Sequence, residues 1–312
     1  MTDRSSLVLK MPIPVQITKL AAAVLTRLEE EQRPVTTPYA LFQIMREIFR
    51  TGDRKKLFLR EETATMNGLR RLVWNLQESR AIGPDPDYWR GVYRVMTMGE
   101  GPAEEVCALV NPFGYISHLS AMRQWGLTDR RPKALHLTMP PASAAALLIQ
   151  EKMTADHDAA FFRPPPDQTV RLHFMRPPAI VRGRDITVHE SKTPGQWLQI
   201  RDSHARLATI GQTFIDTLDQ SRHCGGMAHV RDVWREFAST YREEIIVAVD
   251  DAASPIVKVR AGYLLDEMLR TGDDPRIQAW TRFAARGGSR VLDSSRPFSF
   301  DHSPKWMLSI NV

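Results

Sequence analysis

Side chains that could recognise base pairs recur at helical spacing between residues 65 and 75. Arginine can make two hydrogen bonds to guanine, and asparagine two to adenine, in the major groove of DNA. At 100° per residue, Asn67, Arg71 and Trp74 share the face opposite the apolar positions. Trp74 could instead belong to the core. The residues of this helix that we expect to contact double-stranded DNA are Thr65, Asn67, Arg70, Arg71, Trp74 and Asn75.

Basic residues on both sides of this helix could bind the DNA backbone, because lysine and arginine position a protein on phosphates without recognising sequence. The residues predicted to do so are Lys55, Lys56, Arg60, Arg90 and Arg94. Residues 54–94 hold nine Lys or Arg against five Asp or Glu, so the local positive excess is modest. A solvated charged surface is therefore the alternative.

Three helices and a hairpin are needed to position these side chains. Apolar residues recur at i, i+3, i+4 spacing over about residues 15–31, 38–52 and 63–80. Thr37 and Pro38 are suited to the N-cap and first position of the second helix. A turn cluster at 83–87 then separates two short strands. This order predicts a winged helix-turn-helix over residues 1–98, although winged helices also serve as protein-interaction modules.

Composition indicates an ordinary globular protein, with 43% hydrophobic and 25% charged residues in 312. The net charge of +6 permits a polyanionic partner without requiring one. Apolar stretches are too short to span a bilayer and a signal-peptide pattern is lacking, so we expect a cytoplasmic protein without a membrane partner. Cys107 and Cys224 are predicted to be small buried residues that make no disulfide framework, and neither a metal site nor a cofactor is predicted.

A boundary near residues 99–102 precedes a region of mixed pattern. Short strands are predicted near 134–139, 170–174, 179–181, 186–189 and 197–201, and further helices on both sides of them. The fold class predicted for the chain is α+β, with the N-terminal winged helix-turn-helix followed by a larger mixed α/β C-terminal domain that has a small sheet and several helices. That domain spans 102–312 and could divide into two lobes near 203.

Three stretches resemble the AbiEi family of bacterial antitoxins. They are Gly114–Arg123 with its continuation to Thr128, Arg206–Asp219 with its continuation to Met227, and Lys305–Asn311. With the predicted winged helix, the resemblance covers most of the chain. The ten-residue stretch Gly52–Glu61 departs from the commoner form of the family, since it is long for the turn of a helix-turn-helix.

The resemblance implies a repressor that binds its own promoter. It also implies an antitoxin that counters a nucleotidyltransferase-type toxin in a type IV toxin–antitoxin system, without a stable complex with that toxin. A free-standing transcriptional regulator is the alternative within the family. A homodimer, or cooperative binding on repeated DNA sites, also stays open.

The first two stretches contain polar residues with their own chemistry. Tyr115, His118 and Arg123 on a short capped helix could bind a ligand or an anion; alternatively, Ser117 caps the helix and Tyr115 packs. A helical pattern returns from Arg206. Asp216 and Asp219 lie three residues apart on it, and Arg206 lies ten residues before Asp216, close to three helical turns, which favours a structural ion-pair network.

Catalytic motifs are lacking: the sequence has no P-loop, no His-Glu-x-x-His, no Gly-x-Ser-x-Gly and no nucleotidyltransferase signature. Asp167, Glu190 and Lys192 could hold a divalent metal for phosphodiester cleavage, which keeps a metal-dependent nuclease as a remote alternative. We therefore expect a binding protein and not an enzyme.

Overall fold

The computed structural model describes residues 16–52, 56–57, 59, 61–156, 170–287 and 290–312. Contacts divide the chain into two compact units, the first comprising residues up to Pro102 with Leu147–Met175, and the second Ala103–Ala146 with Arg176–Val312. The predicted boundaries assign Leu147–Met175 to the second domain, and here the structure differs. Tyr39 Oη donates to Asp156 Oδ2 at 2.9 Å, one of the long-range contacts that group this segment with the first unit.

Three helices and a small antiparallel sheet make up the described part of the first hundred residues. In chain order the elements are α1 (Lys19–Glu30), β1 (Val35–Thr36), α2 (Pro38–Thr51), α3 (Met66–Glu78), β2 (Ile82–Pro84) and β3 (Tyr93–Val95). β3 lies between β1 and β2, pairing Arg94 with both Val35 and Gly83. The predicted helices are present, each with somewhat narrower bounds.

Each of these helices begins at a threonine N-cap. The Oγ1 atoms of Thr18, Thr37 and Thr65 accept hydrogen bonds from the backbone N–H three residues further on, at 3.0–3.3 Å. A side-chain acceptor here satisfies one of the N–H groups that the first turn leaves without a partner. The prediction for Thr37 and Pro38 is confirmed. The apolar faces meet in a core that includes the fully buried Leu28, Leu41, Met45, Leu76 and Val95.

The second unit has a six-stranded mixed sheet with helices before, between and after its strands. The further strands are β4 (Tyr115–Ile116), β5 (Leu135–Met139), β6 (Ile180–Val181), β7 (Arg184–Glu190), β8 (Trp197–Gln199), β9 (Arg206–Ala208), β10 (His302–Ser303) and β11 (Leu308–Ser309). The sheet order is β6-β7-β5-β4-β9-β8, while β10 and β11 pair separately. The long parallel pairing of β5 with β7 joins Leu135 to Ile186 and Met139 to Glu190. The strand predicted at 170–174 is wrong, because these residues form no ladder in the structure.

The remaining helices are α4 (Ala103–Val110), α5 (His118–Gln124), α6 (Ala142–Asp156), α7 (Ile210–Asp219), α8 (Met227–Phe237), α9 (Arg242–Asp251), α10 (Pro255–Tyr263) and α11 (Pro275–Ala279). Part of α6, from Leu147, belongs to the first unit. The core of the second unit contains the fully buried Phe214, Trp234 and Trp306. Cys107 and Cys224 are buried and are not joined in a disulfide, as predicted. The fold is therefore α+β. Among the described residues, no helix combines the length and apolar character needed to cross a bilayer.

Arg206 does not form the predicted ion pair with Asp216. It lies on β9, whereas Asp216 lies on α7, so the two are not on one helix. Its guanidinium instead donates to three backbone oxygens, from Nε to Gly114 at 2.8 Å and from Nη2 to Asn111 at 2.6 Å and Ala108 at 3.1 Å. Burial lowers the pKa of Arg206 to about 10, which still leaves it charged near neutral pH.

Arg206→Met should lower the free energy of unfolding by at least about 2 kcal/mol, because each buried acceptor left unsatisfied costs roughly 1–3 kcal/mol. Chemical denaturation followed by circular dichroism measures the change. Arg201→Met is the matched control, since the Arg201 side chain is 95% exposed. Equal free energies of unfolding for the two variants would show that the hydrogen bonds from Arg206 to the three carbonyl oxygens do not stabilise the fold.

Candidate nucleic-acid interface and histidine cluster

The outer face of α3 carries exposed polar side chains. Asn67, Arg70 and Arg71 are all exposed, and Trp74 is 57% exposed. The hypothesis that Trp74 belongs to the core is therefore wrong. Its indole lies on the same helical face as Asn67 and Arg71, where it could pack on a polar or charged partner.

Asn75 is not available for a base contact. Its side chain is 5% exposed. The Oδ1 atom accepts from the backbone N–H of Thr18 at 2.9 Å, and Nδ2 donates to the carbonyl oxygen of Gln16 at 3.2 Å. A position on the flank of a helix can face either solvent or the next element, and here the start of α1 occupies that flank. The predicted DNA contact by Asn75 is thus corrected to a structural role.

Arg71 is held in position by an acidic side chain from the preceding loop. Its Nη2 donates to Glu61 Oε1, and Glu61 Oε2 accepts from Thr65 Oγ1 at 2.9 Å. The hydrogen bonds from Arg71 and Thr65 lower the pKa of Glu61, so this carboxylate is ionised near neutral pH. Thr65 also caps α3, so its hydroxyl is engaged inside the protein. The hydrogen bonds that join Thr65 to Glu61 and Glu61 to Arg71 limit the conformations of the Arg71 guanidinium.

The predicted phosphate-binding residues have different surroundings. Lys56 and Arg90 are exposed. Arg94 is only partly exposed and pairs with Glu100 at 3.1 Å. Lys55 and Arg60 lie outside the described residues. The hairpin also presents Trp89, 91% exposed, next to Arg90. Of these predicted contacts, the structure exposes Lys56 and Arg90 most clearly.

The second unit brings together four histidines that the sequence pattern did not link. They are His118 at the start of α5, His136 on β5, His189 on β7, and His223 in the 3-10 helix Ser221–Cys224 that follows α7. In the parallel ladder His136 pairs with Thr187 and His189 with Thr138. His136 and His189 are therefore diagonal neighbours on one face, because side chains alternate along a strand.

The rings of this cluster are in direct contact. His136 Nδ1 and His189 Nε2 are 2.9 Å apart, which requires one nitrogen to donate and the other to accept. His118 stacks on His189 with ring centroids 3.8 Å apart, and His223 meets His189 edge-on at 4.5 Å. His136, His189 and His223 each have one ring nitrogen that lies within 4.8 Å of a ring nitrogen of the other two.

Burial keeps these imidazoles neutral at physiological pH. Desolvation is the largest cause in each case, and the mutual repulsion of the rings adds to it. The pKa values of His136 and His189 fall to about 4, and those of His118 and His223 are also lowered. The cluster is therefore a group of neutral nitrogen donors near pH 7.

His118 is fixed by contacts on both its backbone and its ring. It has a positive φ of 51°, an uncommon conformation for a residue other than glycine. Its backbone N–H donates to Asp216 Oδ2 at 3.3 Å, and its Nδ1 lies 2.8 Å from Ser117 Oγ. Ser117 also accepts from Thr138 Oγ1 at 2.8 Å. The expected side-chain cap by Ser117 is wrong, because its hydroxyl is engaged with these groups.

Asp216 and Tyr115 are buried beside this cluster. Burial is the main cause that raises the pKa of Asp216 to about 7, although hydrogen bonds from Gln212 and His118 oppose the shift. Tyr115 packs, as one of its two alternatives predicted, and its Oη accepts from the backbone N–H of Gly195 at 2.9 Å. The motif residues of the first two stretches thus contact each other across the fold.

The nuclease constellation gains no support from its described members. Glu190 Oε1 accepts from Arg176 Nη1 at 2.6 Å, so this carboxylate is engaged in an exposed ion pair. Asp167 lies outside the described residues.

Comparison with known proteins gives a likeness to a solved structure. No family model and no curated protein matches the chain. The crystal structure of the Rv2827c protein from Mycobacterium tuberculosis is similar with a TM-score of 0.43 and 13% sequence identity, over 94% of this chain and 92% of that one.

Proposed function

We propose that the first unit is a winged helix that binds double-stranded DNA at the promoter of its own gene, and that the protein is a transcriptional repressor with antitoxin activity. The observation that carries the proposal is the outer face of α3, where Asn67, Arg70 and Arg71 are exposed together. Arginine and asparagine are suited to hydrogen-bond base edges in the major groove. A helix of this width fits that groove.

The order of elements supports the winged-helix part of the proposal. The short strand β1 lies between α1 and α2 in the chain, and the hairpin of β2 and β3 follows α3. In winged helix-turn-helix proteins the third helix enters the major groove and the hairpin contacts the backbone. The exposed Arg90 in the loop of this hairpin is in keeping with a phosphate contact.

The antitoxin part rests on the three stretches that resemble AbiEi proteins. In the second unit, the hydrogen bond from the His118 backbone N–H to Asp216 Oδ2 joins the first stretch to the second. Trp306, from the third, is fully buried and donates from Nε1 to Asp266 Oδ2 at 3.1 Å. Residues that build a core are the ones a shared fold requires, so their resemblance supports a shared fold for this unit.

Fluorescence anisotropy with two labelled duplexes tests the DNA proposal. One carries the promoter sequence and the other the same bases in shuffled order. We expect tighter binding to the promoter and a linear fall of log affinity with log salt concentration, because phosphate contacts release counterions. No binding to either duplex would contradict the proposal and favour a protein-interaction module. Magnesium-dependent cleavage of the duplex would favour a nuclease.

Lys56→Ala and Arg90→Ala should each weaken binding to both duplexes alike and flatten the salt slope by roughly one unit, as expected for the loss of one phosphate contact. Repeating the salt titration with each variant measures the slope. Arg235→Ala is the control, because Arg235 is exposed on α8 in the second unit. An unchanged slope for a variant would show that its residue does not contact DNA.

A further inference from the structure

The histidine cluster joins three elements that are distant in sequence. His136 and His189 lie on one face of two parallel strands, and His223 lies in the 3-10 helix that follows α7. Of the three, His189 is buried, whereas His136 and His223 retain partial exposure. A small ion could therefore reach the nitrogens from solvent.

The separations of the donor nitrogens are close to those of a metal site. Zinc–nitrogen bonds of about 2.0–2.1 Å in tetrahedral geometry set ligand nitrogens roughly 3.3 Å apart. Here one pair is 2.9 Å apart and all three atoms lie within 4.8 Å of one another. Metal binding at the required spacing would need side-chain rotations that open the 2.9 Å pair and close the wider separations.

The surroundings hold two of these rings in orientation. His118 stacks on His189 at 3.8 Å and is itself fixed through Ser117 and Asp216. We regard His118 as a positioning residue and not as a ligand, because its ring stacks on the face of His189, with the ring planes 26° apart. The exposed Arg222 donates from Nε to His223 Nε2 at 3.0 Å, and a cation at that nitrogen would replace this hydrogen bond.

The hydrogen bonds of the cluster indicate unprotonated nitrogens at the proposed site. A histidine binds a metal through an unprotonated ring nitrogen. The contact between His136 Nδ1 and His189 Nε2 requires one of these two nitrogens to accept, and the hydrogen bond from Arg222 Nε requires His223 Nε2 to accept.

We propose that His136, His189 and His223 bind a divalent late first-row transition metal of the Zn²⁺ class, with a fourth coordination position left for water. Three imidazole nitrogens select this class over Mg²⁺ and Ca²⁺, which prefer oxygen ligands. The bound ion would link the 3-10 helix to the sheet and so stabilise the second unit. This site is separate from the DNA-binding face proposed for α3, and either proposal can fail without the other.

Metal binding by the purified full-length protein tests this site. The protein is first dialysed against a chelator, then titrated with Zn²⁺ in competition with a chromophoric chelator, and in parallel with Co²⁺ and Mg²⁺. We expect one equivalent of Zn²⁺ per chain, visible ligand-field bands with Co²⁺, and no binding of Mg²⁺. Zn²⁺ should also raise the melting temperature, because a ligand that binds only the folded state stabilises it.

Three single variants and one control assign the ligands. His136→Gln, His189→Gln and His223→Gln should each weaken Zn²⁺ binding by more than about tenfold. His302→Gln should leave it unchanged, because His302 is an exposed histidine on β10 outside the cluster. Circular dichroism of the metal-free variants establishes that each is folded.

A crystallographic experiment on the wild-type protein does not depend on whether any variant folds. Crystals grown with Zn²⁺ should show an anomalous-scattering peak between the three histidine nitrogens. The proposal is overturned if the wild-type protein binds no Zn²⁺ in the titration, if folded cluster variants bind as tightly as the His302→Gln control, or if the anomalous peak lies elsewhere.

Discussion

Replacing Arg71 with Ala in the full-length protein is expected to weaken promoter binding by about 1–3 kcal/mol and to relax the sequence preference. The exposed guanidinium lies on the outer face of α3, and Glu61 and Thr65 hold it before any DNA is bound. An arginine already ordered in this way loses little conformational freedom when it pairs with a base. Anisotropy titrations with the promoter and shuffled duplexes measure both effects.

The specificity of this result depends on the comparison between duplexes. Arg235→Ala removes an exposed arginine that pairs with Asp232 on α8, and it should change neither affinity. If Arg71→Ala weakens binding to both duplexes equally, Arg71 contacts phosphate and not a base. If it weakens binding to neither, Arg71 has no part in DNA binding.

Local patterns predicted the helices of the first unit well, because their signals lie within a few residues of each other. Apolar residues at helical spacing predicted α1, α2 and α3 without reference to distant contacts, and Thr37 with Pro38 marked the start of α2. The caps Thr18 and Thr65 were not predicted. The same patterns could not decide the surroundings of Asn75. Its partners, Thr18 and Gln16, come from the start of another helix.

The second unit was predicted less completely because short strands depend on their neighbours. β4 and β9 have only two and three residues, and each is stabilised by pairing across the sheet and not by local propensity. Helix α9 was not predicted, although Ile245, Ile246 and Val249 form part of the core. The helix predicted to begin at Arg206 begins instead after the Thr209 N-cap of α7, because Arg206–Ala208 form strand β9.

The histidine cluster illustrates a site without a sequence motif. His136 and His189 are 53 residues apart, and their contact depends on the parallel register of β5 with β7. The sequence did place His136 and His189 on two predicted strands. Alternation along a strand indicates which face each histidine lies on, but not which other strand lies beside it. Metal motifs with close spacing, such as paired histidines on one helix, do not require such knowledge of topology.

The division of function between the two units can be tested through a pair of tryptophans. Trp234 is fully buried on α8, where it packs edge-on against Phe214 at 5.2 Å and donates from Nε1 to Thr217 Oγ1 at 3.0 Å. Trp74 lies exposed on α3. Truncating a buried tryptophan leaves a cavity, whereas truncating an exposed one removes few contacts.

Trp234→Ala is expected to lower the free energy of unfolding by about 3–5 kcal/mol and the melting temperature by roughly 6–20 °C, whereas Trp74→Ala should change stability by less than about 1 kcal/mol.

If the second unit carries the antitoxin activity, cells that express Trp234→Ala beside the nucleotidyltransferase-type toxin should lose growth rescue on warming while a promoter reporter stays repressed. Trp74→Ala should show the opposite pattern, because it alters the DNA-binding face alone. An immunoblot of the same cells establishes that each variant is still present. Rescue that fails with Trp74→Ala would mean that the protein counters the toxin by silencing its operon, and the division between the units would then be wrong.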